Sequence, residues 1–421
     1  MSDSGEILHR SSAEAGLARG DMAVQKKIDF PFAVVANAGS IMALSIMRSL
    51  GRQGVPISAV FGKNSHSSLA SHSVRFSKFI TEKHGFDESD YEGNLVSALM
   101  ETGFPLKTKA VLFPVTDQDM IVVSANRAAL RKYYHILMPP HDLIEILLHK
   151  ERFYEFAYRN DLPVPQTFLP SEADDIQDIS SRISYPCIIK PTWRTKKWIA
   201  IHGNQKVLIA DDPEKLCRIF DELFPRFNHL TVQEIITGEE ENILCSFTYL
   251  DVNSIPLNMF VCRKIRQYPP YYGDTSVAES IFSREIVELT ENICKKLGLS
   301  GYVSIEFKKD SRNDSYKIME ITVGRINRQA GLADSLGINI PYTWYAYQLG
   351  LPTDKTPDYV AHQKWVSEFN EVRAFPRYFR NGYNILKWFR SYRNIKRFEL
   401  LAKDDLKPAL MALPSLVMSR D

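Results

Sequence analysis

Tyr302-Val303-Ser304-Ile305-Glu306-Phe307-Lys308, a turn over 310–315, and Tyr316-Lys317-Ile318-Met319-Glu320-Ile321 decide how this chain folds. Each arm is apolar enough for a strand, and one carboxylate interrupts each. Side chains alternate along a strand, so Val303, Ile305 and Phe307 take one face and Ser304, Glu306 and Lys308 the other. If the hairpin is symmetric about its turn, Glu306 and Glu320 share a face on neighbouring strands. Carboxylates that close repel each other, and a cation between them relieves the repulsion. Oxygen donors without histidine suit Mg²⁺, with Mn²⁺ as the alternative, and such an ion usually completes its shell with phosphate.

Upstream, Pro186-Cys187-Ile188-Ile189-Lys190-Pro191 puts a lysine at the end of a buried apolar strand, with a proline that stops the ladder behind it. Alone it reads as a surface lysine on an edge strand. The run from Leu230 through Gln233, Glu234 and Ile236 to Glu241 and Asn242 is an apolar strand entering an acidic turn. By itself this is a solvated hairpin end.

The front of the chain follows a different rhythm. Phe32-Ala33-Val34-Val35-Ala36 is short and apolar, as a buried parallel strand is. After Asn37-Ala38-Gly39, Ser40 caps a helix whose apolar positions Ile41, Leu44, Met47 and Leu50 recur at helical spacing up to Gly51. Strands over 56–61, 76–80 and 110–115 and helices over 95–100 and 120–130 continue the pattern. The expectation is a Rossmann-like α/β domain over 30–138, behind a disordered tail over 1–29. Its turn lacks the GxGxxG spacing of dinucleotide sites, so a structural or substrate-binding role is favoured. Pro139-Pro140 marks a boundary, followed by two helices up to Arg159. From 166 to 350 strands dominate, with helices over 212–223 and 283–297, which predicts an α+β domain.

Composition sets the outer limits. The 421 residues are 44% hydrophobic and 24% charged, a balance that excludes disordered, fibrous and membrane-spanning classes. Lys plus Arg exceeds Asp plus Glu by only 52 to 50, so any polyanion role needs a local basic patch. The five cysteines are widely spaced, without CxxC pairs, and read as reduced thiols of a cytoplasmic protein. No run of ~18 apolar residues is present to span a membrane.

Taken in order, these parts resemble an ATP-grasp enzyme of the carboxylate-amine ligase and carbamoyl-phosphate-synthase-like kind. The resemblance runs from about residue 32 to 350 and rests on Phe113-Pro114-Val115-Thr116-Asp117, His149-Lys150, Ile189-Lys190-Pro191, Gln233-Glu234-Ile235-Ile236-Thr237-Gly238, Ile305-Glu306-Phe307 and Met319-Glu320-Ile321. It implies a pre-ATP-grasp domain over 30–138 and an ATP-grasp domain over 139–350. The latter divides into an ATP-binding part (about 166–236) and a metal-binding part (about 237–350), ahead of a C-terminal aromatic and basic helical segment over 351–421. By position, Lys150 and Lys190 reach the α- and β-phosphates of ATP. The adenine edge meets the main chain of Glu234 and Ile236 beside Gln233, and Glu241 accepts the ribose hydroxyls. Glu306 and Glu320 hold Mg²⁺, with Thr322 as third ligand where relatives place an asparagine. Lys264 and Arg266, alternating onto one strand face, bind an acyl phosphate, and Arg325 clamps the carboxylate substrate unless it is paired structurally with a nearby carboxylate.

The implied activity is an ADP-forming ligation of a small-molecule acid to an amine, either of them free or lipid- or glycan-linked. A kinase or carboxylase on the same site, or a binding module without turnover, are the alternatives. The loop 192–198 lacks the usual glycines; Arg194, Lys196 or Lys197 contacts phosphate there, or the loop is a solvated hairpin. Residues 373–397 hold eight basic residues and no acidic one among seven aromatic rings. Packing on the body, peripheral contact with a membrane surface, and nucleic acid remain as readings, with no nucleic acid expected. The resemblance also leaves a homodimer open.

Overall fold

A computed structural model describes residues 30–63, 72–191, 195–202, 207–227, 229–353 and 356–418. The tail expected over 1–29 and the lid residues Thr192, Trp193 and Arg194 lie outside the described residues, as does the Lys196 side chain. From Pro31 to Asp421 the chain forms one compact unit.

The front domain follows from its short apolar runs. Strands β1 (Ala33–Val35), β2 (Ile57–Gly62), β3 (Glu82–Phe86), β4 (Ala110–Phe113) and β5 (Tyr134–His135) make a parallel sheet of order β3-β2-β1-β4-β5. Ser40 caps the helix Ile41–Arg52 through Met42 N–H. Thr116 and Asp119 form a reciprocal capping box that starts the helix Asp117–Ala125 and sets Asp117 at its first position. The strand expected over 76–80 is displaced to Glu82–Phe86. Ser77 Oγ and Lys78 N–H are instead drawn to the Asp405 carboxylate at 2.8 and 2.9 Å. Glu82 and Lys83 are exposed on the edge strand that replaces it, which removes the apolar signal.

The helices His141–Leu148 and Lys150–Arg159 do not separate two cores; they join them. Ile144, Leu147, Phe153 and Ala157 pack in one cluster with Val34 and Leu112 of the front sheet and Val303, Phe307 and Ile321 of the carboxylate hairpin.

Next comes a small antiparallel sheet of β6 (Thr167–Phe168), β7 (Cys187–Pro191), β8 (Leu208–Ala210) and β9 (Leu230–Glu234), ordered β6-β9-β7-β8. The helices Asp175–Arg182 and Pro213–Leu223 cover it. Ile179, Ile189, Leu216, Phe220 and Val232 give it a core of its own, each large apolar side chain adding about 2 kcal/mol on burial.

The third sheet comprises β10 (Ile243–Leu250), β11 (Pro256–Tyr268), β12 (Asp274–Ser280), β13 (Gly301–Lys309), β14 (Tyr316–Val323), β15 (Lys364–Val366) and β16 (Ile395–Phe398), ordered β14-β13-β10-β11-β12-β15-β16. The C-terminal region, expected as helical, thus also supplies two strands, the last pair parallel. Its helices Glu368–Arg380 and Ile385–Arg390 bury Tyr378 and Trp388 against the body. The chain's far ends meet where fully buried Arg48 pairs with Asp405 at 2.9 Å and donates to the carbonyls of Glu399, Leu400 and Asp405.

Candidate active site

The carboxylate hairpin forms, and a break in its alternation brings the two acids together. On paired antiparallel strands, Glu306 of β13 stands directly opposite Glu320 of β14. A bulge at Met319 follows, so Phe307 pairs with Ile318 and the register is reset beyond the two acids. Thr322 shares the face of Glu320 two residues on, and its hydroxyl donates to Glu320 Oε1 at 3.1 Å. That contact orients the carboxylate.

Lys264 of β11 reaches across β10 to place Nζ 2.8 Å from Glu306 Oε2 and 3.2 Å from Gln267 Oε1. Burial alone lowers a lysine, but here the Glu306 carboxylate outweighs it and holds the ammonium well above its ordinary range. Glu320 is raised by its setting within the cleft and then by the facing Glu306, with Arg325 opposing, although 61% of its side chain still meets solvent. Arg325 hydrogen-bonds Asp117 and keeps Nη2 3.9 Å from Glu320 Oε1. Glu306, Glu320, Thr322, Lys264 and Arg325 therefore form one contiguous charged group.

In the small sheet, Lys190 of β7 donates to Gln233 Oε1 of β9 at 2.8 Å, and Gln233 Nε2 donates to Thr167 Oγ1 at 2.7 Å. Burial, reinforced by the charge of Lys150, lowers Lys190 to about 7. Buried Tyr154, raised by burial, hydrogen-bonds Gln233 and lies within electrostatic reach of Glu320. The Glu234 carboxylate accepts from Gln166 N–H at 2.8 Å and from Arg312 Nη2 at 3.0 Å. Its side chain is a brace, leaving only its main chain for a ligand. Ile236 is buried at the end of the same strand. Glu241 lies at the rim, 3.8 Å from Lys387 Nζ.

Arg266 is not placed beside Lys264 on the cleft face. A bulge in β11 between Lys264 and Gln267 shifts the alternation, so Gln267 follows Lys264 on that face. Arg266 is instead fully buried, bonded to Glu371 at 2.7 and 3.2 Å and stacked 3.9 Å from the Trp388 ring centroid. In the lid region, Lys197 donates to the Arg226 carbonyl at 3.1 Å and Trp198 is buried, so these two pack on the small sheet.

Three neighbours of the site had no role in the sequence reading. Asp117 holds Arg325, and its place at a helix start just after a strand was the available signal. Arg312 ties Glu234 to Asp310 and pulls the Asp310 carboxyl down to about 2; nothing in a polar turn distinguishes it. Lys308 is half-buried two residues beyond Glu306 on the same strand face, lowered by burial against the pull of Glu240, Asp310 and Glu306. A separate cavity of about 710 Å³ between β8, the helix Pro213–Leu223 and Pro269, Pro270 and Tyr272 contains none of these charged groups.

The donor set suits a hard divalent cation. Two carboxylates face each other with solvent on Glu320, the buried Cys245 thiol stands 3.8 Å from Glu306 Oε2, and no further acidic or histidine side chain completes a metal-ligand cluster with them among the described residues. An ion held there must draw its remaining oxygens from a ligand or water.

No protein-family model matches the chain. It is 22% identical over 279 residues to a D-aspartate ligase of Enterococcus faecium (strain Aus0004), a match covering 63% of this chain and 66% of that protein, just under two thirds of the relative's length. Among solved structures it is similar to the N5-carboxyaminoimidazole synthetase of Staphylococcus aureus, with a TM-score of 0.59 at 12% identity, covering 84% of this chain and 85% of that one. A Campylobacter jejuni biotin carboxylase in complex with β-γ-ATP gives 0.58 at 14% identity over 80% and 74% of the two chains. The phosphoribosylglycinamide synthetase of Anaerococcus prevotii gives 0.57 at 13% over 77% and 76%. The chain therefore shares its fold with these solved enzymes, and over 279 residues its sequence is similar to that of a D-aspartate ligase.

Proposed function

We propose that this protein is an ADP-forming ligase that joins a carboxylic acid to an amine. The observation that carries the reading is the direct Glu306–Glu320 pair with Lys264 and Arg325 against it. Facing carboxylates beside cations suit a metal-bound polyphosphate, the acids taking the ion and the cations the phosphate charge. Bound between the glutamates, Mg²⁺ or Mn²⁺ would neutralise charge on the β- and γ-phosphates.

Each side chain then has a task. Lys190 and Lys150 take the α- and β-phosphates as point charges. The main chain of Glu234 and Ile236, braced by Arg312, receives the adenine edge, and Glu241 the ribose. Lys264 sits where the γ-phosphate arrives. Arg325 offers its fork to the substrate carboxylate, in exchange for Asp117. A carboxylate oxygen attacks the γ-phosphorus, the bond to the β-bridging oxygen breaks and ADP leaves. The amine nitrogen then adds to the acyl carbon, phosphate departs, and the amine's surplus proton is released. No protein nucleophile is required.

The test is product analysis with purified protein, ATP, Mg²⁺ and panels of acids and amines. D-aspartate heads the acids because the relative's name carries it. ADP and phosphate release that needs both acid and amine supports the reading. AMP and pyrophosphate release, or ATP breakdown indifferent to either substrate, overturns it.

A further inference from the structure

The chemistry above leaves one surface unused. From Val372 to Phe398 the chain carries eight Lys and Arg residues and no Asp or Glu. Folding splits this stretch into two faces. On the inner face Tyr378 and Trp388 are buried, and Trp388 stacks on Arg266. On the outer face Phe375, Ile385, Leu386 and Phe389 are 39%, 50%, 62% and 58% exposed. Around them Arg373, Arg380, Lys387, Arg390, Arg393 and Lys396 are exposed as well. Phe375 packs edge-on against Trp388 at 5.3 Å, which holds the helices Glu368–Arg380 and Ile385–Arg390 together so that their outer residues make one surface.

A merely solvated face does not gather four large apolar side chains, and such a patch ringed by charge marks an interaction site. The chemistry of the patch favours one partner. The rings best suited to stack on bases, Trp388 and Tyr378, are turned inward, while the exposed aliphatic Ile385 and Leu386 offer nothing to a base. Aliphatic and phenyl side chains flanked by cations are what enters the boundary between lipid headgroups and acyl chains. Among the described residues no helix is long and apolar enough to cross a membrane, so the contact is peripheral.

We propose that the outer face of residues 372–396 docks this protein on an anionic lipid surface. Lys387, 3.8 Å from Glu241, places that face at the rim of the nucleotide cleft.

The experiment is flotation of the full chain with phosphatidylcholine vesicles, with and without about 30% phosphatidylglycerol, at about 50 and 500 mM salt. Capture by the anionic vesicles at low salt, at least about tenfold over neutral ones and weakened at high salt, is expected. Replacing Arg390, Arg393 and Lys396 together by Gln lowers partitioning by about 100-fold, roughly fivefold per charge. Ile385→Ser with Leu386→Ser and Phe389→Ser abolishes it. Circular dichroism and thermal melting check that each variant is folded; Leu386→Ser alone, at the most exposed of these positions, replaces the triple if that one unfolds. No anionic preference, unchanged partitioning in folded variants, or binding of a single-stranded oligonucleotide in place of vesicles each overturns the proposal.

Discussion

Arg266 and Glu371 meet through two hydrogen bonds, 2.7 and 3.2 Å, with both side chains almost wholly removed from water. A strand of the seven-stranded sheet is thereby locked to a helix of the C-terminal region. Glu371→Ala strands the guanidinium among Trp388 and Tyr392, and is expected to cost about 3 kcal/mol of stability, read from urea unfolding. Arg266→Met with Glu371→Leu is expected to recover most of that loss, since no unpaired charge remains. A Glu371→Ala protein as stable as the parent refutes the structural role of Arg266.

The facing glutamates carry the strongest catalytic expectation. Glu306→Gln and Glu320→Gln each keep the shape of the hairpin and remove a negative oxygen, so turnover should fall roughly 100-fold or more. ATP should still bind, and Mg²⁺ should no longer tighten it. Calorimetric titration with and without Mg²⁺ separates this from a folding defect, and undiminished turnover in either variant sinks the assignment.

Lys190 gives a pH signature. Burial and Lys150 lower it to about 7, so above that pH the free protein carries it largely neutral, whereas a polyphosphate favours the ammonium. ATP affinity should therefore be greatest below about pH 7 and fall as pH rises toward 9, approaching tenfold per unit once past the free-protein value. Binding at pH 8 should take up nearly one proton, measurable by calorimetry in buffers of differing ionisation heat. Lys190→Met should bind more weakly and lose that uptake; uptake unchanged in the variant disproves the link.

Arg325 is tested by splitting its two contacts. Arg325→Lys retains the charge and loses the fork. The KM for the acid should rise about tenfold with the KM for ATP nearly unchanged. If Arg325 serves only as partner to Asp117, both KM values stay put and the melting temperature falls instead.

Single carboxylates on two apolar strands marked the hairpin, but strict alternation from its turn would set Glu306 opposite Met319; the bulge at Met319, which leaves no mark on spacing, is what brings Glu320 opposite Glu306. Lys190 and Lys150 were legible in position alone, one near the end of the strand Cys187–Pro191 and one at the start of the helix Lys150–Arg159. Arg266 was not. Its misplacement follows from a bulge, and one inserted residue in β11 leaves no mark on composition or spacing. Likewise, Glu82–Phe86 is an edge strand with exposed charges, so sequence pattern favoured the neighbouring Phe76 to Ile80 that Asp405 holds out of the sheet. The two strands of the C-terminal region were hidden because the partners that make Lys364–Val366 and Ile395–Phe398 extend are themselves distant in the chain.

The pair of Arg48 with Asp405 spans 357 positions. Arg48 stands on the first helix of the front domain, so its charge partner is made far later in the chain. Without residue 405 the guanidinium has no carboxylate against it in a buried setting, so the packing of the front domain is tied to that of the C-terminal region.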